Sequence, residues 1–164
     1  MTGAFDPLAA LSVLHRHGVR FVLIGGIAGR LLGSPTVTND LDICYARDPA
    51  NLEALAAALT ELEARLRGVD DDVPFLLDAE TLRAGDHFTF ATSAGNLDIL
   101  GTPSGSEGYA QLSRNATYVD VGGFEIPVSD LRDLMAMKRA AGRPKDRVEL
   151  EILAALEEER TAEG

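Results

Sequence analysis

Asp40 and Asp42 stand one residue apart in Asp40-Leu41-Asp42-Ile43, and Asp98 lies between Leu97 and Ile99. Read as strands, both segments send their apolar residues to one face and their carboxylates to the other, with Asp40 and Asp42 roughly 7 Å apart. Two like charges at that spacing repel each other and resist desolvation, so a fold gains little stability from them. A divalent cation reverses that balance, because Mg²⁺ prefers hard oxygen ligands and shares them with phosphate. If the Asp98 strand lies beside the Asp40 strand, three carboxylates converge, which is enough to hold two metal ions around an in-line phosphoryl displacement. Taken alone, Asp-x-Asp is more simply a solvated edge strand, and Gly25-Gly26 more simply a tight turn. The full order is far more specific: strand, glycine pair, short helix, Asp-x-Asp strand, then an apolar-Asp-apolar strand.

The residues around the acids suggest an anion. Gly25 and Gly26 would let backbone N–H groups approach a phosphate closely, and a helix beginning near Ile27 would add its positive end. Arg30, one turn further on, either reaches the same anion or is a surface charge. Near the end of the chain, Lys138, Arg139, Arg143, Lys145 and Arg147 cluster in an otherwise acidic sequence. Lys138 and Arg139 suit the last turn of a helix, whereas Lys145 and Arg147 fall in the first turn of the next, where the dipole disfavours them. Leu131, Leu134, Met135 and Lys138 recur at i, i+3, i+4 and i+7, so Lys138 shares a buried stripe and either snorkels outward or points into a cleft. Asp146 either caps its own helix or orients Lys145 or Arg143. His87, opening a strand near Asp98, is a candidate acceptor contact. His15 and His17 read as surface or dipole partners, and no zinc-like spacing occurs.

The elements that must position these groups are legible from caps and breakers. Asp6-Pro7 starts a helix that Gly18 closes, and RFVLI is a strand running into the glycine pair. Ile27 to Leu32 forms a short helix ended by Gly33-Ser34-Pro35, and Asn39 to Tyr45 is the second strand. Asp48-Pro49 opens a long helix, NLEALAAALTELEARL, stopped at Gly68. The acidic VDDDVP is a loop, and Asp78 caps a short helix. HFTFAT and NLDIL are strands joined by a tight Ser-Ala-Gly turn. A helix around Glu107 to Ser113 precedes strands TYVDV and FEIPV, and Ser129 caps the helix DLRDLMAMKRAAG. Pro144 starts the last helix. The expected class is α/β (α+β), a mixed central sheet flanked by helices, in one domain over residues 1–164 with a helical segment at 129–160.

At 164 residues with 46% hydrophobic and 25% charged residues, the chain reads as an ordinary globular protein with a real core. No signal peptide or membrane span is apparent. The single Cys44, a small core residue on an apolar strand, excludes an intrachain disulfide and fits a cytoplasmic location. A net charge of −11 weighs against a passive nucleic-acid coat, without excluding a local basic patch that holds RNA.

This combination resembles the polymerase-β-like nucleotidyltransferase superfamily, whose signature is an apolar residue, Gly-Gly or Gly-Ser, a spacer, then Asp-x-Asp; here these are Ile24, Gly25, Gly26, Asp40 and Asp42. The chain is also similar to small bacterial nucleotidyltransferases related to the abortive-infection toxin transferases, from the first strand through KRAAGRPKD. The resemblance implies an NTP-dependent enzyme with the triphosphate on Gly25 and Gly26. It implies Asp40, Asp42 and Asp98 as catalytic residues and ligands of two Mg²⁺ ions (Mn²⁺ as a substitute). Arg30, Thr38, Lys138, Arg143 and Lys145 would bind nucleotide. Thr38 matches the threonine of a Thr-x-Asp-x-Asp motif, while Thr36 stands where toxin-type relatives carry arginine. The implied acceptor is a hydroxyl of a tRNA or other RNA end, a protein or a small molecule. A toxin role would add a cognate antitoxin as partner. The alternative is a non-catalytic nucleotide-binding or antitoxin-like interaction module.

Overall fold

Asp6 accepts a hydrogen bond from the Ala9 N–H at 3.1 Å, and Pro7 follows it as the first residue of α1 (Pro7–Arg16). The structure, a computed structural model, describes residues 2–70 and 72–163. Met1, Asp71 and Gly164 lie outside them, Asp71 within the segment expected to be an acidic loop. β1 (Phe21–Ile24) is buried along its whole length, as its uninterrupted apolar run requires. It enters α2 (Gly25–Leu31) directly, and β2 (Asp40–Tyr45) returns antiparallel to it. Asp48 caps α3 (Pro49–Glu61) through the Asn51 N–H. Then come β3 (Arg65–Leu66), α4 (Ala79–Ala84) capped by Asp78, β4 (His87–Thr92), β5 (Gly95–Leu100) and α5 (Tyr109–Asn115). The chain finishes with β6 (Thr117–Asp120), β7 (Glu125–Val128), α6 (Leu131–Ala141) and α7 (Pro144–Glu163).

Among the described residues, seven strands form one mixed sheet in the order β3-β4-β5-β2-β1-β7-β6. The pairs β2·β5 and β1·β7 are parallel, and the other neighbours are antiparallel. Leu41, Ile43, Leu97 and Ile99 are all buried, so the apolar residues flanking each aspartate anchor the two strands in the core. Each such side chain contributes roughly 1.5–3 kcal/mol by leaving water. Cys44 is buried among them. No helix among the described residues is long and apolar enough to cross a membrane.

Three boundaries differ from expectation. The long helix stops at Glu61 rather than Gly68. Glu63 adopts a left-handed conformation at φ 55°, with its N–H on the Thr60 carbonyl and the Ala64 N–H on the Leu59 carbonyl. That paired closure is a Schellman motif made without glycine, and it frees Arg65 and Leu66 to pair with β4. Ser129 is not the cap of α6; its N–H donates to the Leu23 carbonyl, and Asp130 receives the Asp133 N–H at 2.8 Å instead. Finally, α2 begins at Gly25, two residues earlier than expected.

Candidate active site

β5 lies directly beside β2 in parallel register, with Asp42 opposite Asp98 and Asp40 opposite Asn96. Strand alternation turns the aspartates to the face away from Leu41, Ile43, Leu97 and Ile99. They line one polar cleft of about 220 Å³ together with Gly26, Thr38, Lys138, Arg143, Lys145, Asp146 and Glu149. Burial first, then the charges of Asp98 and Asp40, push the Asp42 carboxyl up to about 7, while Lys138 pulls the other way. Burial also raises Asp98, against the pull of Arg67.

The glycine pair is fixed by two separate demands. Gly25 has φ +73°, which side chains rarely adopt, and a Cβ there would stand 2.1 Å from Asp42 Oδ2. At Gly26 a Cβ would come within 2.8 Å of the Thr38 side chain. The backbone leaving β1 is thus pressed against the Asp-x-Asp strand, with no room for any side chain between them.

The cations come from the corner between α6 and α7. Gly142, left-handed at φ 64°, ends α6 with its N–H on the Lys138 carbonyl. Asp146, 1% exposed, accepts from the Arg143 N–H at 3.1 Å, Arg143 Nε at 2.8 Å and Lys138 Nζ at 3.4 Å. One buried carboxylate therefore orients two of the expected phosphate ligands. Lys145 is exposed at the rim of the same cleft. Lys138, Arg143 and Asp42 also line a second, larger cleft of about 460 Å³, whose other walls include Leu100, Pro103, Leu134, Met137 and His87. Arg30 stands apart from both clefts: it is exposed and donates to the Thr36 carbonyl at 3.3 Å.

Two side chains at the site escaped the sequence reading. Glu149 on α7 is buried and accepts from Ser34 Oγ at 3.0 Å and from Thr36 Oγ1, tying down the loop between α2 and β2. A signal existed, since Glu149 shares the stripe of Leu153 and Leu156 at i+4 and i+7. Arg67 had none. Its Nη2 lies 2.9 Å from Asp98 Oδ1, an oxygen that is buried and receives no well-aligned hydrogen bond. Among the described residues, no three His, Cys, Asp or Glu side chains form a ready-made metal cage. The three aspartates nonetheless offer hard oxygens on one polar face, which suits a hard divalent cation better than an apolar core.

Neither a family model nor a curated protein matches the chain. Solved structures do. LnuA, a lincosamide antibiotic adenylyltransferase solved with lincomycin bound, is similar at a TM-score of 0.63, with 14% identity over 95% of this chain and 99% of LnuA. TM1012 from Thermotoga maritima, a candidate nucleotidyltransferase, gives a TM-score of 0.56 with 17% identity over 91% of this chain and 94% of that one. The antibiotic-resistance factor ANT(2'')-Ia gives 0.53, with 14% identity over 94% and 92%.

The fold is that of the nucleotidyltransferases. On this nucleotidyltransferase fold the two clefts meet at Asp42, whose carboxylate is common to both. A polar chamber lined by acids and cations thus adjoins a more apolar one, with Asp42, Lys138 and Arg143 lining both.

Proposed function

We propose that the protein transfers a nucleoside monophosphate from an NTP to an acceptor hydroxyl in a divalent-metal-dependent reaction. The observation that carries this reading is the contact between Gly25 and Asp42, beside Asp98 and facing Lys138 and Arg143. It sets bare backbone, paired acids and phosphate-binding cations around one point. Fold likeness to LnuA and ANT(2'')-Ia supports the class by analogy.

Gly25 and Gly26 would admit the triphosphate to the backbone, and Lys138 and Arg143, held by Asp146, would neutralise its oxygens. Bound Mg²⁺ on Asp40, Asp42 and Asp98 would supply charge stabilisation at the α-phosphate and acidify the acceptor hydroxyl. Asp98 takes the hydroxyl proton. The acceptor oxygen bonds to the α-phosphorus, the bond from that phosphorus to the β-phosphate bridge breaks, and pyrophosphate leaves.

A small molecule is the acceptor we favour. The 460 Å³ cleft is small and partly apolar, and the net charge of −11 disfavours tracking a nucleic-acid backbone. The test is to incubate the protein with each labelled NTP, Mg²⁺ and total cell extract, then resolve small molecules, RNA and protein. Label in a small-molecule fraction is expected, and label in RNA or protein would replace that acceptor. A lack of transfer to any fraction would reject catalysis.

The rival reading is a nucleotide-binding module without turnover, and the ion pair of Arg67 with Asp98 favours it. It predicts NTP binding with no pyrophosphate release.

A further inference from the structure

Arg67 is fastened to the neighbouring strand by its backbone and by its side chain. Its N–H donates to the Thr89 carbonyl at 2.9 Å, and Thr89 is the residue paired with Asp98 across β4 and β5. Its Nη1 donates to the Phe90 carbonyl at 3.2 Å, which leaves Nη2 facing Asp98 Oδ1. The two side chains are only 29% and 18% exposed, so water screens this pair less than a surface one. The other charged or titratable groups acting on the acids are Asp40, Asp42, His87, Lys138 and Arg143. A guanidinium does not lose its proton, so its charge on Asp98 is permanent. A divalent ion reaching Asp98 must contend with that charge.

We propose that Arg67 is a resident counterion of the third aspartate, which makes divalent-metal loading at Asp98 depend on a bound NTP. This rests on the metal-dependent transfer reading above. In the free protein the guanidinium balances Asp98 and repels a dication. A triphosphate on Gly25, Lys138 and Arg143 brings enough negative charge to outweigh that repulsion. Arg67 is thus a positioning residue that orders the assembly of the site, nucleotide before the last metal.

Mn²⁺ titration tests this without turnover, with free Mn²⁺ read by electron paramagnetic resonance, in the presence and absence of a non-hydrolysable NTP analogue. With analogue, the wild-type protein is expected to bind about two Mn²⁺ per chain. Without it, Arg67→Gln, which keeps a donor for the Phe90 carbonyl, should bind Mn²⁺ at least about tenfold more tightly than wild type. Arg67→Met should match Arg67→Gln, Arg67→Lys should stay near wild type, and adding Asp98→Asn to Arg67→Gln should abolish the gain. Unchanged or weaker nucleotide-free affinity in Arg67→Gln, while wild type loads with analogue, would overturn this proposal alone. Absence of Mn²⁺ binding to wild type even with analogue would overturn the metal-dependent reading itself, and this inference with it.

Discussion

Gly25 and Asp42 are in such close contact that a single methyl group on the glycine would stand 2.1 Å from the carboxylate oxygen. Gly25→Ala must therefore move Asp42, the backbone or both, and it also forces alanine into a positive φ. Nucleotidyl transfer should fall by at least about a hundredfold, as for loss of a positioned catalytic group. Steady-state kinetics beside far-ultraviolet circular dichroism measures this, and full activity in the variant would remove the glycine contact from the mechanism.

Asp42→Asn keeps the side-chain shape and removes a charge crowded by Asp98 and Asp40. Transfer should be lost while the metal-free protein melts about 2–4 °C higher near pH 8, since a buried repulsion is relieved. Thermal scans and an activity assay on the same preparation check both. A less stable, active variant contradicts both parts.

Stability of the metal-free protein should depend on pH with a defined sign. Burial and the neighbouring Asp98 and Asp40 push the folded Asp42 carboxyl up to about 7, above the unfolded value of about 4. Between these values the native state keeps a proton that the unfolded chain has lost, so Asp42 makes stability fall as pH rises through that window. Asp146 acts at the other end: burial raises its carboxyl, but the Arg143 hydrogen bonds and Lys138 outweigh this and hold it below the usual range. Its contribution is full above about pH 4 and is lost as pH drops further. Melting temperatures between about pH 5 and 8 should decline without Mg²⁺, and saturating Mg²⁺ should restore more at the alkaline end. A flat profile, or a rise toward pH 8, would reject the assignment for Asp42.

Glu149→Ala leaves the Ser34 and Thr36 hydroxyls without their acceptor and opens space in the interior. The cost should be about 2 kcal/mol or more, seen in denaturant unfolding, with a raised KM for NTP because the loop beside Thr38 loosens. Glu149→Gln, which retains one acceptor oxygen, should lose less of both. Identical losses in the two variants would show that side-chain volume contributes little there and that both carboxylate oxygens are needed.

Much of this architecture is written locally. The caps at Asp6, Asp48 and Asp78, the buried run of β1 and the apolar flanks of Asp42 and Asp98 depend on neighbours within a few residues, and each is found where local rules place it. The segment after Glu61 misleads for the same reason. Leu62, Glu63, Ala64 and Arg65 are acceptable helix formers, and only the pairing of Arg65 and Leu66 with β4 takes the chain out of the helix. That long-range pairing also sets Arg67 against Asp98, so the expected helix hid the counterion. Glu149 and Ser34 are 115 positions apart in the chain, and no local pattern links their hydrogen bond to the site.

The corner at Gly142 also fixes when the site is finished during synthesis. A ribosome releases Asp40 and Asp42 early and Asp98 later, while Lys138 and Arg143 follow only after every strand has emerged. A partly made chain consequently carries the acids without the cations that would grip polyphosphate. On the proposed reading, the acids and the cations stand together only once the corner between α6 and α7 has been made.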